Sequence, residues 1–336
     1  MDDVISLAYG SGGKLTHRLI NDLFYQYFSN ETLLEGGDSA IFQSGTGRLA
    51  FTTDSYVISP IFFRGGNIGK LAVCGTVNDL TVSGAVPKYL SCGFIIEEGL
   101  KRQELERIVQ SMAETAKLAG VSIVTGDTKV VQKGCADRVF INTSGIGFIP
   151  ENISFSTKKI RAGDQVILTG TMGDHGTAIL LEREDLKVRS EIASDCAPLN
   201  LLLEPVLEKF SDAVRVMRDP TRGGVATTLN ELVAGTGLGI RLRQEFLPVR
   251  DEVKGICEML GMDPLYMANE GKALIIADGN QADGIVRLLK ENPFGKDAAV
   301  IGAVTNDFPD KVFMNTLAGG SRVIDMLSGD QLPRIC

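Results

Sequence analysis

Residues 89–125 read YLSCGFIIEEGLKRQELERIVQSMAETAKLAGVSIVT, and this stretch predicts a strand, a helix and a second strand. Tyr89–Glu97 carries the apolar and aromatic residues typical of a strand. Apolar residues then recur at helical spacing over 101–119, at Leu105, Ile108, Val109, Met112 and Ala116. Gly120 stands where this helix should end, and Ser122–Thr125 starts the next strand. This alternation predicts an α+β or α/β domain.

Similar segments occur on both sides of this unit, and they divide the chain into regions. The predicted strands are 48–53, 139–149, 164–169 and 274–277, and the predicted helices are about 15–28, 66–83, 177–186, 225–234 and 281–291. Pro, Asn, Ser and Gly with a basic patch favour a linker at 151–163. We therefore predict a first domain at 1–150, a second at 164–318, and a mobile tail at 319–336, where periodicity fades.

Composition and charge exclude several classes of protein. The 336 residues suffice for about two domains of ordinary size. Lys and Arg number 34 against 42 Asp and Glu, so a net charge of −8 argues against a nucleic-acid or anionic-membrane surface. Because no membrane-length apolar run and no signal peptide are visible, we expect a cytoplasmic protein. The six cysteines form no CxxC pair, which disfavours a zinc or iron–sulfur site.

Two familiar phosphate-binding motifs fail inspection. A P-loop needs Gly-Lys followed by Ser or Thr, but Gly13-Lys14 and Gly69-Lys70 each precede Leu. The Gly-rich run 235–239 follows a predicted helix rather than a strand, so it does not match the dinucleotide fingerprint. A nucleotide bound here would use other loops.

Four aspartates stand in Gly- or Thr-containing motifs or within an apolar helix. They lie in Gly37-Asp38-Ser39-Ala40, Thr52-Thr53-Asp54-Ser55, Asn78-Asp79-Leu80 and Gly126-Asp127-Thr128. Carboxylates are hard oxygen ligands that suit Mg²⁺ and, through it, phosphates. Plain turn chemistry explains any single one of them, but four in one domain favour the metal interpretation.

Four further motifs have both a functional and a structural interpretation. They are Gly10-Ser11-Gly12-Gly13-Lys14, Thr171-Met172-Gly173-Asp174-His175-Gly176, Asp219-Pro220-Thr221-Arg222-Gly223-Gly224 and Asn269-Glu270-Gly271-Lys272. The first could close over a triphosphate, and the next two precede helices whose free amides suit phosphate. Glu270 could act as a base. A disordered terminus or ordinary turns explain the same residues, so both interpretations stay open.

The chain ends in Cys336. A prenylation box needs Cys four positions from the end, where Pro333 stands instead. A thiol on a mobile tail can meet one partner outside and then enter a pocket. The adjacent terminal carboxylate should raise the pKa of this thiol and Arg334 should partly offset it, although the cysteine could also be accidental.

Together these motifs resemble the HypE family of hydrogenase maturation proteins, within the PurM-like (AIR synthetase-like) ATP-binding superfamily. The likeness spans essentially the whole chain and includes Thr53–Ile58, Gly66–Leu71, Thr125–Val131, Ala268–Lys272 and the family-specific ending Pro333-Arg334-Ile335-Cys336. It implies a two-domain α+β PurM-like fold, whose N-terminal domain mediates homodimerisation and whose C-terminal tail is flexible.

The resemblance also implies a reaction, the ATP-dependent dehydration of a carbamoyl group on the C-terminal cysteine to a thiocyanate. The carbamoyltransferase HypF would load Cys336, and the HypC–HypD scaffold complex would receive the cyanide ligand for nickel–iron hydrogenase. The implied catalytic residues are Cys336, Glu270 as base and Lys129. The implied Mg²⁺ ligands are Asp38, Asp54, Asp79 and Asp127. The implied ATP-binding residues are Gly12, Gly13, Lys14, Asn78, Thr128, His175 and Arg222.

Two alternatives remain at this point. One is a small-molecule phosphotransferase of the same superfamily, such as a thiamine-phosphate kinase, which would not need Cys336. The other is a thiol carrier without enzymatic activity, against which the retained acidic motifs argue.

Overall fold

The computed structural model describes residues 13–19, 21, 40–44, 47–183, 190–329 and 334–336. The first half contains α1 (Lys14–Leu19), β1 (Ala40–Ser44), β2 (Gly47–Tyr56), β3 (Phe62–Phe63), β4 (Gly66–Asn67), α2 (Ile68–Val82), β5 (Val86–Glu97), α3 (Arg102–Ala119), β6 (Ser122–Val131) and β7 (Val139–Ile149). The second half contains β8 (Gln165–Leu168), α4 (Asp174–Arg183), α5 (Asn200–Phe210), β9 (Val214–Arg218), α6 (Gly224–Val233), β10 (Gly239–Arg243), α7 (Asp251–Leu260), β11 (Leu274–Ala277), α8 (Ala282–Lys290), β12 (Ala299–Thr305), β13 (Val312–Asn315) and β14 (Ser321–Ile324).

The first sheet has the order β1-β2-β7-β5-β6. Only β5 and β6 run parallel, and α3 connects them, so the predicted strand–helix–strand unit is confirmed. Gly120 ends α3 in the left-handed conformation (φ 68°), as predicted. The edge strand β6 is exposed along nearly its whole length, which leaves one margin of the sheet uncovered.

Helix α2 packs on the inner face of this sheet and supplies most of the first core. The Asn67 side chain caps it by accepting hydrogen bonds from the amides of Gly69 and Lys70, at 2.9 and 3.1 Å. Nearly every residue of α2 is buried, because the sheet lies on one side of the helix and α3 with the second domain lies on others. This environment explains the continuous apolar composition of the helix.

The second sheet has the order β14-β13-β10-β12-β8-β11-β9. Its last strand lies inside the region 319–336 that we predicted as a tail. Ser321–Ile324 pairs antiparallel with β13, so this prediction needs correction and the sheet extends beyond residue 318. A four-residue edge strand with three exposed positions has too little periodicity for the pattern to detect.

The two halves share hydrophobic cores. One cluster joins Ala50, Leu80 and Ile149 of the first half to Leu199 and Leu203 of the second. The two-domain α+β prediction is confirmed, with the halves packed against each other. Among the described residues, no helix is long and apolar enough to cross a membrane.

Candidate active site

The end of the chain is docked between the two halves. The Val57 amide donates to a terminal carboxylate oxygen of Cys336 at 3.0 Å, and the Ser59 amide donates to the Arg334 carbonyl at 3.3 Å. The Arg334 Nε donates back to the Val57 carbonyl at 2.8 Å. Ile335 is only 5% exposed and belongs to the first core. The segment that follows β2 therefore pairs with the last three residues.

His175 contacts the same segment from the second half. Helix α4 begins at Asp174, one turn earlier than predicted, and this places His175 in its first turn. The ring is fully buried, with Nε2 2.8 Å from the Ile335 carbonyl and Nδ1 2.8 Å from the Ser194 hydroxyl. Burial lowers the pKa of His175, so the imidazole is neutral. In this state His175 binds the tail and not a phosphate, contrary to the cofactor assignment.

The Cys336 thiol lies among one cation and several carboxylates. Burial raises the pKa of the thiol strongly, the Arg222 guanidinium acts in the opposite direction, and Glu270, Asp54 and Asp219 add to the rise. Arg222 and Asp219 belong to the turn that precedes α6, and Asp54 stands near the end of β2. The offsetting cation is Arg222 and not Arg334, whose guanidinium binds Asp137 instead.

Glu270 is the candidate proton acceptor of this site. Its side chain is 2% exposed, and its Oε1 has no hydrogen-bond partner among the described residues. Burial is the main reason that its pKa lies well above the usual carboxyl range, and Asp195 and Asp219 are among the neighbours that raise it further. An unpartnered buried carboxyl with a raised pKa can take a proton from a bound substrate.

The turn that carries Glu270 is held by Asp195. Its Oδ1 accepts from the Glu270 amide at 3.1 Å, and its Oδ2 accepts from the Gly271 amide at 3.2 Å and from the Lys272 Nζ at 3.1 Å. Burial acts to raise the pKa of Asp195, but Lys272, His175 and these donors outweigh it, so the carboxylate stays ionised. Our sequence analysis missed Asp195, because residues 190–199 carry neither periodicity nor a recognisable motif.

Asn269 joins three of the predicted motifs. Its Oδ1 accepts from the Gly173 amide at 2.8 Å, and its Nδ2 donates to the Pro220 carbonyl at 2.9 Å. The Gly-rich turn before α4, the turn before α6 and the Glu270 turn are therefore fixed relative to one another. Sequence reasoning named all three turns but gave no reason to expect one amide between them.

Family models match the chain as "AIR synthase related protein, N-terminal domain" over residues 36–149 and as "AIR synthase related protein, C-terminal domain" over residues 161–315. Carbamoyl dehydratase HypE of Escherichia coli (strain K12) is 49% identical over 99% of this chain and 99% of its own. The chain belongs to the HypE family of carbamoyl dehydratases. A solved HypE–HypF complex contains a chain 47% identical with TM-score 0.87, covering 92% of this chain and 99% of that one. A HypE structure in complex with ATP is 47% identical with TM-score 0.83, covering 98% of this chain and 100% of that one.

Against this HypE background, the four aspartates do not form one metal site in the described part of the chain. Asp54 and Asp79 both act on the buried Tyr56 hydroxyl, and Asp79 accepts a hydrogen bond from Thr52 at 2.8 Å. Asp127 lies on β6, three strands from β2, which is about 14 Å at ordinary strand spacing. Asp38 lies outside the described residues. No three potential ligands come together among the residues described.

Lys129 and Thr128 share the exposed edge strand with Asp127. The Lys129 Nζ is 3.1 Å from the Asp127 carboxylate, and this hydrogen bond is the main reason that the pKa of Asp127 is lowered. Lys129 is separated from Val57, the residue that binds Cys336, by two intervening strands of the sheet. Within one chain the structure does not bring Lys129 to the thiol, contrary to the catalytic assignment.

The remaining cofactor candidates lie elsewhere. Asn78 is buried at the junction of the two halves, where its amide donates to the Ala197 and Glu270 carbonyls and accepts from the Leu199 amide. Its polar atoms are thus used between the halves, and no cofactor contact is left for them. The Lys14 amide donates to the Leu327 carbonyl and its Nζ pairs with Asp325, so Gly13 and Lys14 lie against the residues after β14. Gly12 lies outside the described residues.

Proposed function

We propose that this chain converts an S-carbamoyl group on its own Cys336 into a thiocyanate, with ATP as the dehydrating reagent. The carrying observation is the docked thiol of Cys336, held beside Glu270 and Arg222. A mere thiol carrier would not need a buried, unpartnered carboxyl next to its carrier atom.

The chemistry fits the groups at this position. ATP would phosphorylate the carbamoyl oxygen and release ADP, because phosphate is a far better leaving group than oxide. The nitrogen then gives up its protons as the carbon–oxygen bond breaks, so the products are the thiocyanate, ADP and phosphate. We assign the proton removal to Glu270 and the stabilisation of the developing negative charge to Arg222. The geometry of a single chain gives no such support to Lys129.

The mass of the C-terminal peptide tests this proposal. The protein is loaded with a carbamoyltransferase and carbamoyl phosphate, separated from that enzyme, and then given ATP. Loss of one water from the Cys336 adduct only after ATP addition supports the dehydratase. An adduct that keeps its water would leave a carrier, and an unmodified Cys336 would contradict the proposal altogether.

We extend the proposal to ATP and Mg²⁺ as cofactors. The HypE structure in complex with ATP supports a nucleotide site in this relative of similar length. Because no three ligands converge among the described residues, Mg²⁺ would have to share its coordination with the nucleotide phosphates, and we derive no step through it. Asp127 is the fully exposed member of the described set.

We propose HypF as the loading partner and the HypC–HypD complex as the acceptor of the cyanide. The solved HypE–HypF complex supports the first assignment. In the docked state the thiol is buried and its pKa is raised, so loading requires the tail to leave this position. We place the reaction in the cytoplasm, because it consumes ATP and needs a reduced thiol, and all six cysteines are free.

We also propose a homodimer formed through the first sheet. The outer face of that sheet exposes a cross-strand row in which Ile146 lies opposite Phe51 on β2 and Tyr89 on β5. These three side chains are 36–47% exposed. The apolar row continues toward the uncovered strand β6, with Val124 at 58% and Val130 at 68% exposure. An apolar patch of this kind favours association with a second copy.

A further inference from the structure

We infer that His175 is a latch that holds the docked tail, so that it sets the balance between the loading position and the reacting position of Cys336. The inference deepens the proposed function, and its first test does not depend on that function. The tail is the C-terminal segment 334–336 described above.

The latch has a defined hydrogen-bonding state. The Ser194 hydroxyl oxygen accepts from the Cys196 amide at 3.1 Å and lies 2.8 Å from the His175 Nδ1. The hydroxyl proton is thus directed to Nδ1, which leaves the ring proton on Nε2. From there it is donated to the Ile335 carbonyl at 2.8 Å. Phe63 packs edge-on against the ring, with centroids 5.7 Å apart, and fixes its plane.

The latch acts next to the thiol. The Ile335 carbonyl belongs to the peptide bond that leads into Cys336, so its position sets the position of the reacting residue. Helix α4 holds the tail at a second point, because Arg183 in its last turn donates to the Arg334 carbonyl and to the Ser59 carbonyl. His175 is thus a positioning residue and not a catalytic one.

The latch is also connected to the proposed base. His175 follows Gly173 by two residues, and the Gly173 amide is bound by Asn269, the neighbour of Glu270. The element that grips the tail and the turn that carries the carboxyl are therefore parts of one hydrogen-bonded unit. Docking against His175 brings Cys336 to Glu270, whereas release exposes the thiol to a loading partner.

The first test measures release without any reaction of the enzyme. The apo protein is treated briefly with iodoacetamide, and the labelling of Cys336 is compared with that of the exposed Cys135 in the same chain by peptide mass spectrometry. Because the docked thiol is buried, labelling reports the undocked fraction. His175→Leu fills a similar volume without the donor, and we expect about 3- to 10-fold faster labelling of Cys336, as the loss of one hydrogen bond implies.

The conservative variant separates positioning from general damage. His175→Gln keeps an N–H donor near the position of Nε2, so its labelling should stay within about 2-fold of wild type. His17→Gln is the matched control, because His17 binds Glu231 at 2.7 Å rather than the tail. Labelling of the buried Cys74 and Cys257 identifies any variant that has unfolded. In that case Ser194→Ala, which removes the group that orients the ring, replaces His175→Leu.

Two results would overturn the latch: an unchanged labelling ratio in folded His175→Leu, or in Ser194→Ala if the first variant unfolds. The second test uses the half-reactions. We expect His175→Leu to be carbamoylated at least as fast as wild type but dehydrated several-fold more slowly, and His175→Gln to restore dehydration. If the loaded wild type does not respond to ATP, the proposed function fails, while the labelling ratios still decide on the latch.

Discussion

Glu270 has no hydrogen-bond partner for its Oε1 among the described residues and lies beside a docked thiol, and both features bear on its reactivity. Glu270→Gln keeps the shape but removes the proton acceptor. We expect ATP-dependent dehydration of the loaded tail to fall by about 100-fold or more, as is usual for the loss of a general base. Carbamoyl loading of Cys336 should not change. A single-turnover assay on loaded protein measures both rates, and a variant that dehydrates at the wild-type rate would remove Glu270 from the mechanism.

The raised pKa of Glu270 gives the reaction a pH dependence. Burial, the largest cause, disfavours the ionised form, so the carboxylate that accepts the proton becomes abundant only above the usual titration range of glutamate. We therefore expect the single-turnover rate to rise with pH across the mildly acidic to neutral range. The same series on Glu270→Gln serves as the control and should be flat there. A wild-type rate that is already constant from pH 5 upward would contradict the assignment.

Asp195 makes a prediction about stability rather than chemistry. Its pair with Lys272 is buried, with side-chain exposures of 3% and 10%, so Asp195→Asn leaves the ammonium without its counter-charge. We expect a loss of about 3 kcal/mol in the free energy of unfolding, measured by urea denaturation at pH 7. Asp251→Asn breaks the exposed pair with Lys254 and should change stability by less than about 1 kcal/mol. Equal losses in the two variants would refute the bracing role.

The direction of the Asp195 pKa shift fixes how that loss depends on pH. The native pKa lies below its usual value, so this carboxylate stabilises the fold above its unfolded pKa of about 3.9, and the contribution is lost as pH falls through the native pKa. The stability difference between wild type and Asp195→Asn should accordingly be full at neutral pH and shrink below about pH 4.

At the scale of elements, the sequence could predict what periodicity encodes and little more. The stripe of α3 and the apolar run of β5 gave their elements within a few residues, because both exceed eight residues and have one consistent environment. β14 was missed because four residues at a sheet edge have no such pattern. Helix α4 was placed late because its first turn, Asp174–Thr177, is buried against both halves and lacks an amphipathic stripe.

Helix α2 illustrates how packing decides the effect of a substitution. A Cβ at Gly75 would lie 2.2 Å from the Tyr56 hydroxyl, so Gly75→Ala should destabilise the protein by about 1–3 kcal/mol through overpacking. Gly255 occupies the exposed face of α7 with nothing within 4 Å of its Cβ position, so Gly255→Ala should stabilise by about 0.5–1 kcal/mol. Urea denaturation of both variants checks the opposite signs, and a neutral Gly75→Ala would show that Tyr56 can move aside.

At the scale of the whole molecule, the fold explains which site predictions could succeed. Cys336, Glu270, Arg222 and Asp54 come from four separate segments, yet their charges act on one another in the structure. Their motifs were visible in the sequence because each carries an unusual residue type. Asp127 and Lys129 carry equally visible motifs, but strand order places them at the far edge of the sheet, and a motif does not report strand order.

The uncovered edge and outer face of the first sheet lead to the last prediction, which concerns the assembly. Ile146 lies at the centre of the exposed apolar row, between Phe51 and Tyr89, so a buried ammonium there would have no counter-charge in a symmetric interface. We expect Ile146→Lys to elute at the 36.1 kDa of one chain in light scattering coupled to gel filtration, while wild type elutes at twice that mass. Val323→Lys is the matched control, because Val323 is 61% exposed on the second sheet and should leave the dimer intact. A wild-type protein that runs as a single chain at micromolar concentration would contradict the proposed homodimer, and dissociation by Val323→Lys instead would move the interface to the other sheet.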